Sequence, residues 1–282
     1  MIILSPPDPV AINLFGIAIR WYALAYIAAF VIGLWLIKKI DRTQAPKYWD
    51  DLFSYVILGI ILGGRLGYVL FYNLPHFAAN PLEIFYIWHG GMAFHGGLVG
   101  AAIGALLYAW KVAEPRSSSL AKRGVVESWL LIIDRIAIVA PIGLFFGRIA
   151  NFINMEAMGR ITDKPWGIMF KGVTDAPRHP SQLYEAATEG IILFIIMMTL
   201  WRFTRLRERP GALAGMFGIG YAVFRIFCEQ FREPDLHIGF LLGTNWLTMG
   251  TVLSSSMILI GSIMVGQSVN PLRWRRGARR AG

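Results

Sequence analysis

Gly147-Arg148-Ile149-Ala150-Asn151-Phe152-Ile153-Asn154-Met155-Glu156-Ala157-Met158-Gly159-Arg160 closes an apolar run and opens the longest polar interval of the chain. Arg148, Asn151, Asn154, Glu156 and Arg160 crowd into this short stretch. An apolar run of spanning length that ends in such a cluster reads as a membrane helix reaching the aqueous boundary. Outward from it, seven runs can be marked: 14–37, 52–72, 88–110, 129–147, 184–203, 211–231 and 244–266. The chain is 56% hydrophobic and only 16% charged, whereas soluble domains are roughly 45–50% apolar and about 25% charged. The expectation is therefore an all-α polytopic membrane protein of about seven helices, a single integral membrane domain over 1–282.

The loops give the orientation. Lys38, Lys39, Arg42 and Lys47 follow the first run, Lys111, Arg116, Lys122 and Arg123 the third, and Arg202, Arg205, Arg207 and Arg209 the fifth. A basic tail over 267–282 carries Arg273, Arg275, Arg276, Arg279 and Arg280. These all fall on one side, so the positive-inside rule places the C-terminus in the cytoplasm and the N-terminus outside. The interval 148–183 then forms a small outer (periplasmic) cap, with turns or short strands near Asp163-Lys164-Pro165 and Gly172-Val173-Thr174. The sixth run, with Gly211, Gly215, Gly218 and Gly220 at its start, is the one expected to be broken or re-entrant.

Composition excludes several classes. The net charge of +10 follows from topology, and no soluble basic domain exists to bind nucleic acid. A single cysteine, Cys228, excludes internal disulfides and thiolate clusters, and reads as a buried thiol. The five histidines show no metal-binding spacing, so no metal and no cofactor are expected. No basic region precedes the first apolar run, which reads as a retained helix rather than a signal peptide.

Ionisable residues inside the bilayer cost about 2.5–3.5 kcal/mol on insertion scales and point to function. Arg65 lies in the outer half of the second run and Arg225 in the sixth, while the Asp134-Arg135 pair reads as structural. Tyr221, Arg225, Glu229 and Arg232 recur at helical spacing on one face, which must look into protein or a wet cavity. An Arg225–Glu229–Arg232 ladder would leave excess positive charge for an anionic ligand. His95 opens the third run, and Gly96, Gly100 and Gly104 behind it form a small-residue face for close helix packing. Pro180-Ser181-Gln182 resembles a helix start and reads mainly as a re-entry signal. Guanidiniums suit bidentate phosphate recognition. Arg148, Arg225 and Arg232, with His95, thus point to an outer-leaflet site for a phosphate-bearing amphiphile such as a phospholipid.

These residues also resemble a known family. The opening stretch, Phe94-His95-Gly96-Gly97, Arg178-His179-Pro180-Ser181-Gln182-Leu183-Tyr184-Glu185 and Tyr221…Arg225…Glu229…Arg232-Glu233-Pro234-Asp235 are similar to the motifs of bacterial prolipoprotein diacylglyceryl transferases, in that family's order. The sequence departs from the usual pattern at Ala150, Met155 and Ala222, where glycine is common. The resemblance implies transfer of diacylglyceryl from phosphatidylglycerol to the lipobox cysteine of a prolipoprotein signal peptide, in a bacterial cytoplasmic (inner) membrane. A thioether forms and glycerol-1-phosphate leaves. It implies His95 as base and Arg148 and Arg225 as phosphate clamps. Asn151, Glu156 and Gly159 would shape the headgroup pocket with Tyr26, Arg65 and Tyr221, and Glu229 and Arg232 would support Arg225. The competing class is a phospholipid or anion transporter using the same arginines. Visible internal repeats would favour it, and none is seen.

Overall fold

The computed structural model describes residues 1–14, 17–87, 90–113, 124–234, 239–244 and 246–269. Arg116, Lys122, Arg123, Asp235 and most of the basic tail lie outside the described residues. The chain divides into two compact units, Met1–Leu36 with Asp134–Gly277 and Ile37–Ile133 with Ala278–Gly282.

In the unit around Ile37–Ile133, helix α2 (Pro46–Phe71) starts with proline at a first-turn position, where its missing N–H costs nothing. A short helix α3 (Leu74–Ala79) and a 3-10 turn (Pro81–Phe85) follow, then helix α4 (Phe94–Ala113). Helices α2 and α4 meet through glycines, as the sequence spacing implies. A methyl group on Gly100 would collide with the Gly59 carbonyl oxygen, and one on Gly63 with that of Gly96. Backbone-to-backbone approach of this kind replaces the hydrophobic drive that a lipid solvent does not supply. At the other end Trp49, Leu52, Phe53, Val56 and Tyr108 are buried, and the Tyr108 hydroxyl donates to the Tyr48 carbonyl at 2.9 Å.

The other unit opens with strand β1 (Ile2–Leu4), which pairs in parallel with β4 (Ile168–Phe170). A hairpin of β2 (Val10–Leu14) and β3 (Ile17–Arg20) precedes helix α1 (Trp21–Ile40). The first helix therefore starts at Trp21 rather than near residue 14. Residues 10–20 are rich in β-branched side chains in alternation, a strand signal that an apolar-run count absorbs. Helix α5 (Val125–Ile153) continues through Arg148 and Asn151, so irregular chain begins only at Asn154. Helix α6 (Ser181–Glu185), a π-helical segment (Ala186–Ile192) and helix α7 (Leu193–Phe203) form one continuous rod. Helix α8 (Ala212–Glu229) is unbroken despite its glycines, and helix α9 (Met249–Val269) packs against it. Gly215 allows that approach, since a Cβ there would lie 2.7 Å from the Gly261 carbonyl oxygen.

Six helical rods among the described residues are long and apolar enough to cross a membrane, and Gly96–Val112 in α4 is a seventh apolar helix. The weakest predicted span is held at its start by Asp134. This fully buried carboxylate accepts the Gly211 and Ala214 N–H groups, both at 2.8 Å, and so caps α8. Its neighbour Arg135 stacks over Trp201, 4.8 Å from the ring centroid. The pair is structural, as its sequence position suggests.

Candidate functional site

Helix α5 brings Arg148, the α6–π rod brings Glu185 and Glu189, and α8 brings Arg225 and Glu229. Arg148 Nε lies 3.0 Å from Glu185 Oε2 and its Nη2 3.0 Å from Glu189 Oε2. Arg225 Nη1 lies 2.6 Å from Glu185 Oε1 and 3.8 Å from Glu189 Oε1, while its Nη2 is 3.2 Å from Glu229 Oε2. Arg232, just beyond α8, places Nη1 3.6 Å from Glu185 Oε1. Glu229 also accepts the Thr248 hydroxyl at 3.1 Å. Glu185 and Glu189 have no exposure at all.

Three guanidiniums thus face three carboxylates. The expected excess of positive charge along an Arg225–Glu229–Arg232 ladder is not present. Glu185 and Glu189, which a survey of intramembrane arginines passes over, neutralise it. Their signal was available, because an acidic pair four residues apart in an apolar run also falls on one helix face. Tyr221, one turn before Arg225, borders the cluster within electrostatic range of Glu189, Arg148 and Arg225. Cys228 is buried, its sulfur 3.3 Å from the Thr188 hydroxyl.

A second group sits at the end of α5. The Asn151 amide donates to the Tyr22 hydroxyl, which donates to Glu156 Oε2. Tyr22 is the tyrosine that hydrogen-bonds the polar stretch, and Tyr26 stands within electrostatic range of Arg148 and Glu156. Tyr26 stacks on it one turn along, 6.2 Å between ring centroids, and is largely exposed. Residues four apart share a helix face, so both tyrosines look towards the polar stretch. The turn that carries Glu156 is tight: Met155 and Ala157 have φ of 56° and 52°. That left-handed region favours glycine, which accounts for Met155 being a departure from the family pattern. Ser181 Oγ and Gln182 Nε2 donate to the Ala157 and Glu156 carbonyls at 3.1 and 2.6 Å. The re-entry segment thus clamps the polar turn.

Gly159 serves close approach. A Cβ there would stand 2.8 Å from both His179 Cβ and the Phe231 carbonyl oxygen. Arg160 Nε donates to the Arg232 carbonyl at 2.9 Å, tying the turn to the end of α8. His179 in the cap lies 3.1 Å through Nδ1 from the Tyr184 hydroxyl. Burial first, then the neighbouring Lys164 charge, holds its imidazole below the usual histidine value.

Two predicted site residues lie in the other unit. Arg65 is buried and donates to five carbonyls, from Nε to Ile84 (2.8 Å), from Nη1 to Gly90 (2.5 Å) and Gly91 (3.2 Å), and from Nη2 to Glu83 (2.5 Å) and Tyr86 (3.4 Å). Its guanidinium holds the loop that leads into α4. His95 lies in the first turn of α4, and its side chain falls outside the described residues.

Apolar helices of spanning length that carry a buried cluster of three arginines and three glutamates define a polytopic membrane protein with an interior polar site. Within that class the chain belongs to the prolipoprotein diacylglyceryl transferase family, whose model matches residues 9–266. It is 49% identical over 274 residues to the phosphatidylglycerol–prolipoprotein diacylglyceryl transferase of Rhodospirillum rubrum, covering 94% of each chain. It is 48% identical over 267 residues to that of Azospirillum brasilense, covering 93% of this chain and 94% of the other. The protein of that name from Agrobacterium fabrum is 44% identical over 264 residues, covering 90% of this chain and 89% of its own.

Proposed function

We propose that this chain transfers the diacylglyceryl group of phosphatidylglycerol to the thiol of a prolipoprotein cysteine. Membership of the transferase family over residues 9–266 carries the reading. The sulfur–carbon bond forms at the diacylglycerol carbon that bears the phosphate oxygen, not at the headgroup glycerol. That carbon–oxygen bond breaks, and its electron pair leaves with glycerol-1-phosphate. The acceptor is the cysteine of the lipobox, in a signal peptide that lies in the same membrane. The loop charges support a reaction at the outer leaflet of a bacterial inner membrane, with 148–183 as the interval that carries the periplasmic cap.

Arg148 and Arg225 are assigned to the phosphate. They come from different helices and share Glu185, so together they offer donors to a tetrahedral anion from two directions. Donors aimed at developing negative charge contribute most when reorganisation is small. Here the carboxylates hold both guanidiniums in place before substrate arrives. Asn151, Glu156 and Tyr22 supply polar groups for the glycerol hydroxyls, Gly159 and Tyr221 shape the adjoining walls, and Glu229 and Arg232 support Arg225. Tyr26 flanks Tyr22. Arg65 is assigned to the loop before α4, whose carbonyls its guanidinium holds.

A thiol with a pKa near 8.5 attacks poorly until deprotonated, and His95 is assigned as the base that takes its proton. His95→Asn should lose transfer at neutral pH and recover part of it at higher pH, where the thiol ionises unaided. A loss independent of pH would remove the base role. Arg148→Ala should abolish transfer to a lipobox peptide while the protein still inserts, and full activity in that variant would remove the phosphate-clamp role.

A further inference from the structure

We propose that Glu185 and Glu189 form a proton-accepting pair, and that an anionic headgroup binding at Arg148 and Arg225 brings one proton onto Glu189. The proposal rests on the phosphate assignment just made. It starts from charge balance. Arg148, Arg225 and Arg232 are matched by Glu185, Glu189 and Glu229, with side-chain exposures between 0% and 17%. A phosphodiester adds one negative charge to this group. An uncompensated charge in so dry a place is costly, and buried ionisable groups change protonation state rather than bear it.

Geometry selects Glu189. Glu185 faces three guanidiniums, at 3.0, 2.6 and 3.6 Å. Glu189 is bonded through Oε2 to Arg148, while its Oε1 accepts no hydrogen bond and lies 3.8 Å from Arg225; Glu185 Oε2 and Glu229 Oε2 also accept none but stand 3.0 and 3.2 Å from a guanidinium nitrogen. Glu189 Oε1 is the buried oxygen where a proton displaces least. The groups facing the pair are Arg148 from α5, Tyr221, Arg225, Cys228 and Glu229 from α8, and Arg232 beyond it. The π-helical segment that begins at Ala186 carries Glu189, and π turns within helices concentrate at functional sites.

Isothermal titration calorimetry of short-chain phosphatidylglycerol into the detergent-solubilised protein, in buffers of different ionisation enthalpy, counts the protons taken up. The wild type should take up about one proton per lipid, with affinity falling about tenfold per pH unit on the alkaline limb. Glu189→Gln carries the neutral state from the outset. It should bind lipid with no proton uptake and a flat pH dependence, whereas Glu185→Gln should alter affinity and still respond to pH. Zero uptake in the wild type, or unchanged uptake in Glu189→Gln, would overturn the proposal. Binding left intact by Arg148→Gln would instead overturn the phosphate assignment beneath it, so the two failures are distinguishable.

Discussion

Arg225 offers the sharpest separation of stability from chemistry. Replacing it with alanine leaves Glu185, Glu189 and Glu229 facing only Arg148 and Arg232. Glu185 keeps Arg148 at 3.0 Å and Arg232 at 3.6 Å, but Glu229 loses its contact at 3.2 Å and retains the Thr248 hydroxyl. Breaking a buried ion pair from one side costs about 3–5 kcal/mol, because the abandoned charge stays buried. Arg225→Ala should therefore lose that much stability to denaturant in detergent. Adding Glu229→Gln, which restores the charge count, should recover a large part of it. Arg225→Lys keeps the charge but offers one nitrogen where the guanidinium uses two, Nη1 to Glu185 and Nη2 to Glu229. It should stay folded while transfer to a lipobox peptide falls by about 10²–10³, the usual effect of losing one donor to a developing negative charge. The reasoning is refuted if Arg225→Ala is as stable as the wild type, or if Arg225→Lys is fully active.

Other perturbations test the scaffold. Asp134→Ala strands two N–H groups at the start of α8 and should cost on the order of 2 kcal/mol, read as a lower midpoint of unfolding. Gly100→Ala drives a methyl group into the Gly59 carbonyl oxygen; it should destabilise by about 1–3 kcal/mol as α2 and α4 are forced apart. His179 favours its neutral form in the fold, being held below the ordinary 6.5 by burial and Lys164. Its contribution to stability is therefore present above pH 6.5 and lost as pH falls, so a His179→Gln variant should show a flatter loss of stability below pH 6.5 than the wild type. Tyr22→Phe removes the hydroxyl that accepts from Asn151 and donates to Glu156 and should slow transfer at least about tenfold, since losing even one such hydrogen bond costs roughly 1.4 kcal/mol.

The membrane helices were legible because each contains an apolar run within the length range that a bilayer requires. The glycine spacing in α4 announced a close helix contact, and the structure gives α2 as its partner. The β2–β3 hairpin was hidden, since apolar strand residues extend an apolar run without changing its composition. The continuity of α8 was hidden for the opposite reason. Its glycines weaken it locally, and the group that secures its start, Asp134, comes from a distant part of the chain. Within the polar site, arginines drew attention because positive charge in lipid is conspicuous and matches a phosphate. Their acidic partners occur in a segment that otherwise reads as apolar, and only packing shows that Glu185 touches Arg148 and Arg225 together. Met155 and Ala157 illustrate a further limit. A positive φ at a non-glycine residue leaves no mark in the sequence unless a family pattern supplies the missing glycine.

The central claim is group transfer, and mass tests it. Purified protein incubated with phosphatidylglycerol and a lipobox peptide should add one diacylglyceryl increment to the peptide, placed on the cysteine by fragmentation, with glycerol-1-phosphate released in equal amount. An unmodified peptide, in preparations where the same protein moves phosphatidylglycerol between leaflets, would contradict the account and support a transporter.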